Sequence, residues 1–198
     1  MKKLVECFDK YKCDKGSLKH RYDRVYELAL EPLRNKEFDL LEIGIFKGNS
    51  LEALVEYAPR AQIVGLDTFQ RIQPNDISIL QHDNVEWLKC DSTEPTTLKR
   101  TFDIIIDDGL HTHEAQRKTF ANFFPYLKDD GVYFIEDVWP FDIMGWMEKQ
   151  HPWLKKHPMS WNDTEYEKLL ETVSPYNVTF HDIREGYDPD TFIIEIRK

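Results

Sequence analysis

The amino-acid sequence predicts an α/β fold with a doubly wound, mostly parallel seven-stranded sheet and a C-terminal antiparallel hairpin. Five strand patterns alternate with helix patterns between Phe38 and Ile135, and strands connected in this way form a parallel sheet with right-handed crossovers. Two further strand patterns near the C-terminus are separated only by a turn, which is typical of a hairpin at a sheet edge. The 198 residues are expected to form one domain, because this length supports a single hydrophobic core.

Composition and charge exclude several classes of protein. The net charge of −10 argues against a nucleic-acid partner, which would require clustered Lys and Arg. No apolar run is long enough to span a membrane, and the first ten residues lack the apolar region of a signal peptide. The cysteines Cys7, Cys13 and Cys90 form no CxxC pair and suggest neither a disulfide nor a zinc framework. We therefore expect a soluble cytoplasmic protein that binds a small molecule.

Residues 1–37 are predicted to form a helical cap. Helix patterns cover residues 4–11 and 22–29, and Pro32 stops the second one. Two interpretations stay open for this region. It could pack on the sheet as a cap, or its loop residues could close over a ligand; the residues concerned are Lys15, His20 and Tyr22.

The segment Phe38–Ser50, FDLLEIGIFKGNS, begins the predicted cofactor-binding core, residues 38–138. It combines a buried strand, a turn with Gly44 and Gly48, and the start of a helix. Such a turn directs backbone N–H groups toward the carboxyl edge of the sheet, where small-molecule ligands of open α/β sheets bind. The remaining strands of the core are predicted over Gln62–Asp67, Val85–Lys89, Phe102–Asp107 and Val132–Ile135.

A helix is predicted over His113–Leu127, with Thr112 as its N-cap and Pro125 disturbing its last turn. The Asp-Asp-Gly sequence at 129–131 is predicted to be a turn before the fifth strand.

The C-terminal part has a different character. Residues 139–175 contain an aromatic segment, Trp139–Trp161, that suits either an acceptor lid or a homodimer interface, and then a helix pattern over 166–173. Residues 176–198 contain the hairpin, with strands expected over 176–183 and 191–197 around a turn at 185–190.

Each of the five parallel strands ends in a carboxylate, which indicates a functional site at one sheet edge. Acidic residues are ordinary in turns, but five at the same edge are difficult to explain as coincidence. The acids after the strands are Glu42, Asp67, Asp91, Asp107-Asp108 and Glu136-Asp137.

These carboxylates also favour a particular ligand. The GxGxxG motif of a dinucleotide site is absent and Glu42 would repel a phosphate, whereas Asp67 is placed to accept ribose hydroxyls. A ligand with an amino group, a ribose diol, a positive centre and no phosphate fits best, namely S-adenosylmethionine. The candidate cofactor-binding residues are Glu42, Gly44, Gly48, Asn49, Ser50, Asp67, Asp91, Ser92 and Asp107.

The sequence resembles the class I S-adenosylmethionine-dependent methyltransferases, which have a Rossmann-like fold. It is similar in particular to the metal-dependent O-methyltransferases that modify macrolide sugars. The motifs that carry the resemblance are LEIGIFKGNS, IVGLD, FDIIIDDGLHTH and GVYFIED, across residues 38–138. The resemblance implies that His111 is a general base and that a divalent metal is bound by Asp108, Glu136 and Asp137.

The residue types agree with a metal, because three converging carboxylates raise one another's pKa unless a cation lies among them. Oxygen ligands suit Mg²⁺ or Mn²⁺. Two alternatives are acids that only cap a helix, and a zinc site made by His111 and His113.

We therefore expect a magnesium-dependent O-methyltransferase that acts on a small hydroxylated acceptor such as a sugar or polyol. The alternatives are an N-methyltransferase and a protein that binds S-adenosylmethionine without catalysis. A nicotinamide oxidoreductase is disfavoured, because the sequence lacks GxGxxG.

Overall fold

The computed structural model describes residues 2–140, 163–184 and 191–198. In these ranges the chain forms a seven-stranded sheet with the strand order β3-β2-β1-β4-β5-β7-β6. The strands are β1 (Phe38–Ile43), β2 (Ala61–Asp67), β3 (Val85–Lys89), β4 (Phe102–Asp107), β5 (Leu127–Ile135), β6 (Asn177–Asp182) and β7 (Phe192–Arg197). Strands β1 to β5 are parallel, and β7 pairs antiparallel with both β5 and β6. The predicted fold class is confirmed.

Helices cover both faces of the sheet. They are α1 (Leu4–Lys10), α2 (Asp23–Leu30), α3 (Asn49–Tyr57), α4 (His113–Phe123) and α5 (Asp163–Val173). Helices α1, α2 and α3 bury their apolar sides in one core cluster with strand residues such as Leu40 and Ile104. Helices α4 and α5 form the second cluster with strand residues such as Leu41 and Ile105. Successive residues of one strand thus supply the two cores, because side chains alternate across a sheet.

The helix after β4 is shorter, and the strand after it longer, than the sequence predicts. Helix α4 ends at Phe123 rather than at Leu127, and a short 3₁₀ turn containing Pro125 follows it. A proline lacks the N–H that a continuing helix needs. The chain then enters β5 at Leu127, so residues 129–131 lie inside the strand and the predicted turn is wrong. A register shift near the start of the β4–β5 pairing accommodates the additional strand residues.

The predicted C-terminal strands are present with slightly shorter bounds. The turn predicted at 185–190 and most of the aromatic segment, residues 141–161, lie outside the described residues. Among the helices that are described, none has the length and apolar composition to cross a membrane.

Candidate active site

A cavity of about 850 Å³ opens at the carboxyl edge of the parallel strands. It brings together residues that the sequence predicts for a cofactor and residues that it predicts for a metal. The predicted residues that line it are Gly44, Asn49, Ser50, Asp67, Asp91, Ser92, Asp108, His111 and Asp137. The other four predicted residues, Glu42, Gly48, Asp107 and Glu136, are not part of its lining.

The loop between β1 and α3 requires glycine at two positions. Gly44 and Gly48 have φ angles of +96° and +81°, a region that side-chain-bearing residues rarely adopt. A Cβ atom on Gly44 would lie 1.9 Å from the backbone oxygen of Asp108. The glycine loop therefore passes directly against the end of β4, which brings the predicted cofactor and metal residues close together.

Asp67, at the end of β2, holds this loop in place. Its Oδ2 accepts hydrogen bonds from the backbone N–H groups of Ile45 at 2.9 Å and Phe46 at 3.0 Å. Its Oδ1 accepts a third from the N–H of Phe69 at 2.7 Å. A carboxylate has about four acceptor positions, so these bonds leave Asp67 with limited capacity for the ribose hydroxyls that the sequence assigns to it.

Three other predicted cofactor residues also have partners within the protein. Asp91 accepts hydrogen bonds from the backbone N–H and the hydroxyl of Thr93, and Ser92 shares one with Thr119 at 2.9 Å. The side-chain amide of Asn49 donates to the backbone oxygen of Tyr11 at 2.8 Å. These contacts fix the cavity wall and tie the glycine loop to the N-terminal region.

Glu42 and Asp107 are buried carboxyl groups behind the cavity wall. Burial raises the pKa of Glu42 to about 7, although the Lys15 ammonium and the Ser50 hydroxyl partly offset it. That hydroxyl does not reach hydrogen-bond geometry, and neither Glu42 oxygen receives a hydrogen bond from the described residues. Burial likewise raises the pKa of Asp107 to about 8, although the hydrogen bond that Asp107 accepts from the N–H of Gly109 partly offsets this rise. Both carboxyl groups therefore carry a proton far more readily than exposed acids do.

A candidate cation site lies at the ends of β4 and β5. Asp108, His111 and Asp137 each present one ligand atom, and these atoms lie within 4.8 Å of one another. The Nε2 atom of His111 is 3.7 Å from Asp108 Oδ1 and 3.7 Å from Asp137 Oδ2. Two carboxylate oxygens and an imidazole nitrogen that face one point suit a divalent cation.

Glu136, the third metal ligand that the sequence predicts, stands outside this cluster. Its Oε2 accepts a hydrogen bond from Lys15 Nζ at 2.6 Å, and its Oε1 accepts one from the hydroxyl of Tyr26. The same Lys15 ammonium also donates to Asp108 Oδ2. Both oxygens of Glu136 are thus engaged by the protein, and His111 takes its place in the described cluster.

The pKa values of the neighbouring acids Glu136 and Asp137 are shifted in opposite directions. Burial and the charge of Asp108 raise the pKa of Glu136 well above its ordinary value. Burial also acts to raise the pKa of Asp137, but His111, His20 and the Tyr22 hydroxyl outweigh it and lower that pKa. Asp137 is therefore the acid of the pair that stays ionised most readily.

The N-terminal region completes the site. Loop residue Lys15 and the α2 region residues Tyr22 and Tyr26 contact the acids at the ends of β4 and β5. His20 lies 3.9 Å from Asp137 and 3.0 Å from Thr191, immediately before β7. Helices α1 and α2 pack against the sheet, and the loop between them brings Lys15 to the lining of the cavity. Tyr26 was not predicted for the site, because its helical spacing indicates only a core position.

His113 does not join the cluster. It begins α4, is buried, and contacts the backbone oxygen of Trp139 at 2.9 Å and the ring of Tyr166. The zinc site that would pair it with His111 therefore has no support in the described residues.

Several known proteins are similar in sequence to this chain. A family model described as a methyltransferase domain matches residues 41–138. The chain is 30% identical over 149 residues to mycinamicin VI 2''-O-methyltransferase from Micromonospora griseorubida, an alignment that covers 69% of this chain and 36% of that protein. It is 32% identical over 139 residues to a tetracenomycin rhamnosyl 3'-O-methyltransferase from Streptomyces olivaceus, covering 64% of this chain and 34% of that one. The chain spans about a third of the length of these curated relatives.

Solved structures show the same fold. MycE methyltransferase from the mycinamycin biosynthetic pathway, in complex with Mg and SAH, has a TM-score of 0.72 at 23% identity and matches 99% of this chain and 54% of that chain. The SAH-bound methyltransferase PaMTH1 of Podospora anserina has a TM-score of 0.64 at 16% identity, over 100% of this chain and 88% of that chain.

Proposed function

We propose, on the premise that this chain resembles the class I S-adenosylmethionine-dependent methyltransferases in sequence and in fold, that it methylates a hydroxyl group of a sugar or similar polyol. The observation that carries this proposal is the shared cavity, into which both the glycine loop and the Asp108–His111–Asp137 cluster open. Relatives named as sugar O-methyltransferases support the acceptor class. The MycE complex with Mg and SAH supports S-adenosylmethionine and Mg²⁺, or the similar Mn²⁺, as cofactors.

The glycine loop and the ends of β2 and β3 would hold S-adenosylmethionine. The loop that begins at Gly44, whose N–H groups at Ile45 and Phe46 are held by Asp67, would lie at the methionine end, and the acceptor capacity left on Asp67 suits one ribose hydroxyl. Asp91 and Ser92, which also line the cavity, would lie at the adenine end. The cofactor supplies a methyl group already activated by a positive sulfur, so that the protein has to orient the acceptor and remove a proton.

Asp108 and Asp137 would hold the divalent cation. When bound, such a cation lowers the pKa of a coordinated hydroxyl group and fixes the orientation of a diol. Asp137 suits this role because its pKa is lowered and its Oδ2 faces the cluster. Asp108 contributes Oδ1, since its Oδ2 is engaged by Lys15.

His111 would remove the proton from the acceptor hydroxyl. Its side chain is one-third exposed, lines the cavity and directs Nε2 toward both carboxylates, which is the arrangement expected of a general base. A neutral imidazole nitrogen cannot accept this proton and bind the cation at the same time. If His111 is the base, its removal should leave the affinity for the cation unchanged; if it is the third ligand, its removal should lower that affinity.

Calorimetric titration tests the cofactor and the cation separately. We expect S-adenosylmethionine to bind both wild type and Asp108→Ala, and Mg²⁺ to bind wild type but not Asp108→Ala. Asp129→Ala, which removes a fully exposed acid, is the matched control and should behave as wild type. Failure of S-adenosylmethionine to bind wild type would overturn the proposed function.

Turnover tests the role of His111. Wild type is incubated with S-adenosylmethionine, Mg²⁺ and a panel of glycosides and polyols, and mass spectrometry detects methylated products. His111→Ala should lose at least about a hundredfold in turnover while it retains the affinity of wild type for Mg²⁺. Loss of Mg²⁺ affinity in the same variant would instead make His111 a ligand, and full turnover would exclude it as the base.

A further inference from the structure

We propose that Lys15 is a positioning residue that takes the cation position between Asp108 and Glu136, and that it thereby restricts a divalent metal to the Asp108–Asp137 side of the cluster. This inference rests on the proposed function, because it concerns how the cation of that site is held. It gives Glu136 a role different from that of a metal ligand.

The first support is the contact geometry of Lys15. Its side chain is almost completely buried, and its ammonium group donates to Glu136 at 2.6 Å and to Asp108. A buried ammonium between two carboxyl groups compensates charge in the same way as a bound metal ion.

The position of these carboxyl groups in the sheet gives the second support. Asp108 and Glu136 directly follow β4 and β5, and Glu42 is the next-to-last residue of β1; the three strands are consecutive neighbours in the sheet. Lys15 therefore joins the ends of β4 and β5 next to β1. Tyr26 donates to the remaining oxygen of Glu136, so that each oxygen of this acid already has a donor within the protein.

The loop that carries Lys15 is held against α1 by hydrogen bonds and close packing. Asp9 in α1 accepts hydrogen bonds from the backbone N–H of Ser17 at 2.8 Å and from its hydroxyl at 2.7 Å. The backbone N–H of Cys13 donates to the oxygen of Phe8 at 2.9 Å. A Cβ atom on Gly16 would lie 2.4 Å from Asp9 Oδ1, so the loop packs tightly against α1.

Loss of the Lys15 ammonium is expected to strengthen the binding of a divalent metal. Removal of the ammonium leaves the half-buried carboxyl group of Asp108 and the buried one of Glu136 without their compensating charge. A divalent cation can then take its place and gain Glu136 as an additional oxygen ligand, which strengthens binding. Lys15 thus weakens and localises the metal through its contacts with Asp108 and Glu136.

The test is a double-mutant cycle on Mn²⁺ affinity, measured by calorimetry and by the paramagnetic resonance signal of free Mn²⁺. The proteins are wild type, Lys15→Met, Glu136→Gln and the double variant. We expect Glu136→Gln to change the affinity of wild type by less than about threefold and Lys15→Met to raise it by at least about tenfold. In the Lys15→Met background, Glu136→Gln should remove that gain, since the two residues then act on the same site.

Lys19→Met is the matched control, because Lys19 lines the same cavity but is exposed. It removes one positive charge without freeing a carboxylate, and it should raise Mn²⁺ affinity by less than about threefold. An equal rise in both lysine variants would show a general charge effect and would overturn the proposal.

Two other outcomes would also overturn it. One is a tenfold or greater loss when Glu136→Gln is made in wild type, which would make Glu136 a ligand. The other is a Lys15→Met protein that binds Mn²⁺ no better than wild type, including the case in which neither binds it. If Lys15→Met does not fold, the Glu136→Gln result in wild type decides alone. The cycle uses no S-adenosylmethionine, so its failure is distinct from failure of the cofactor to bind.

Discussion

The buried carboxyl group of Glu42 makes the stability of the protein depend on pH in a predictable way. Its pKa is about 7 in the folded protein and about 4.5 in an unfolded chain. Between these values the folded protein binds more protons at this position than the unfolded chain, so the free energy of unfolding decreases as pH rises. The loss is complete above the folded pKa and absent below the unfolded one.

The magnitude follows from the two pKa values. At about 1.4 kcal/mol for each pKa unit, the difference corresponds to about 3 kcal/mol. Glu42→Gln cannot ionise, so the variant lacks this dependence. The buried amide has its own cost in lost hydrogen bonds, but this cost does not vary with pH. The difference in unfolding free energy between Glu42→Gln and wild type should therefore shift by about 3 kcal/mol in favour of the variant from pH 4 to pH 8.

Urea denaturation of both proteins across this pH range measures the difference. Glu94→Gln controls for the loss of one negative charge, because Glu94 is exposed. A Glu42→Gln difference that stays constant with pH would refute the reasoning. It would mean that Glu42 ionises in the folded protein as readily as in the unfolded chain, rather than being buried without a hydrogen-bond donor.

Three further substitutions have defined outcomes. Gly44→Ala should lower the unfolding free energy by about 3 kcal/mol or more, because the residue has a φ of +96° and its Cβ would meet a backbone oxygen. The control is Gly109→Ala, whose Cβ would lie 3.2 Å from the side-chain oxygen Oδ1 of Asp107; it should lower the unfolding free energy by only about 1 kcal/mol. Urea denaturation measures both variants. Asp67→Ala releases the backbone N–H groups of the glycine loop and should weaken S-adenosylmethionine binding at least about tenfold by calorimetry; unchanged affinity would show that the loop needs no anchor. Thr112→Ala removes the oxygen that accepts the N–H of Ala115 at the start of α4 and should lower stability by about 1 kcal/mol in thermal denaturation, whereas an unchanged melting temperature would contradict its role as N-cap.

The sequence was sufficient for the parallel core, because local patterns determine it. Strands β3 and β4 have the predicted bounds, since each is a short run with clear turn signals at its ends. The start of β5 was not predictable in this way. Residues 129–131 have the composition of a turn, but they lie inside β5 between Leu127 and Val132, which both pair with β4. Such pairing is a property of the sheet rather than of the segment.

The candidate site was predictable only in part. The acids were placed at one edge because strand ends of a parallel sheet meet there. Which acid faces the cation site and which one binds Lys15 depends on contacts between residues that are distant in sequence, and local sequence patterns do not predict such contacts. Glu136 and Asp137 are adjacent, yet one faces Lys15 and the other faces His111, and Asp137 adopts a left-handed φ of +50°. Tyr26 serves twice, with its ring against Phe134 in the core and its hydroxyl on Glu136.

The distance along the chain between the members of the site has a consequence for folding. Lys15 is 93 residues from Asp108 and 121 from Glu136, and His20 is 171 residues from Thr191. Contacts of such high sequence separation form late, because the intervening chain must first be ordered. The glycine loop, by contrast, is held by Asp67 at the end of β2, which is only 22 residues from Ile45. During synthesis the nascent chain would thus acquire its loop early and its charge cluster only when the N-terminal region docks on the nearly finished sheet.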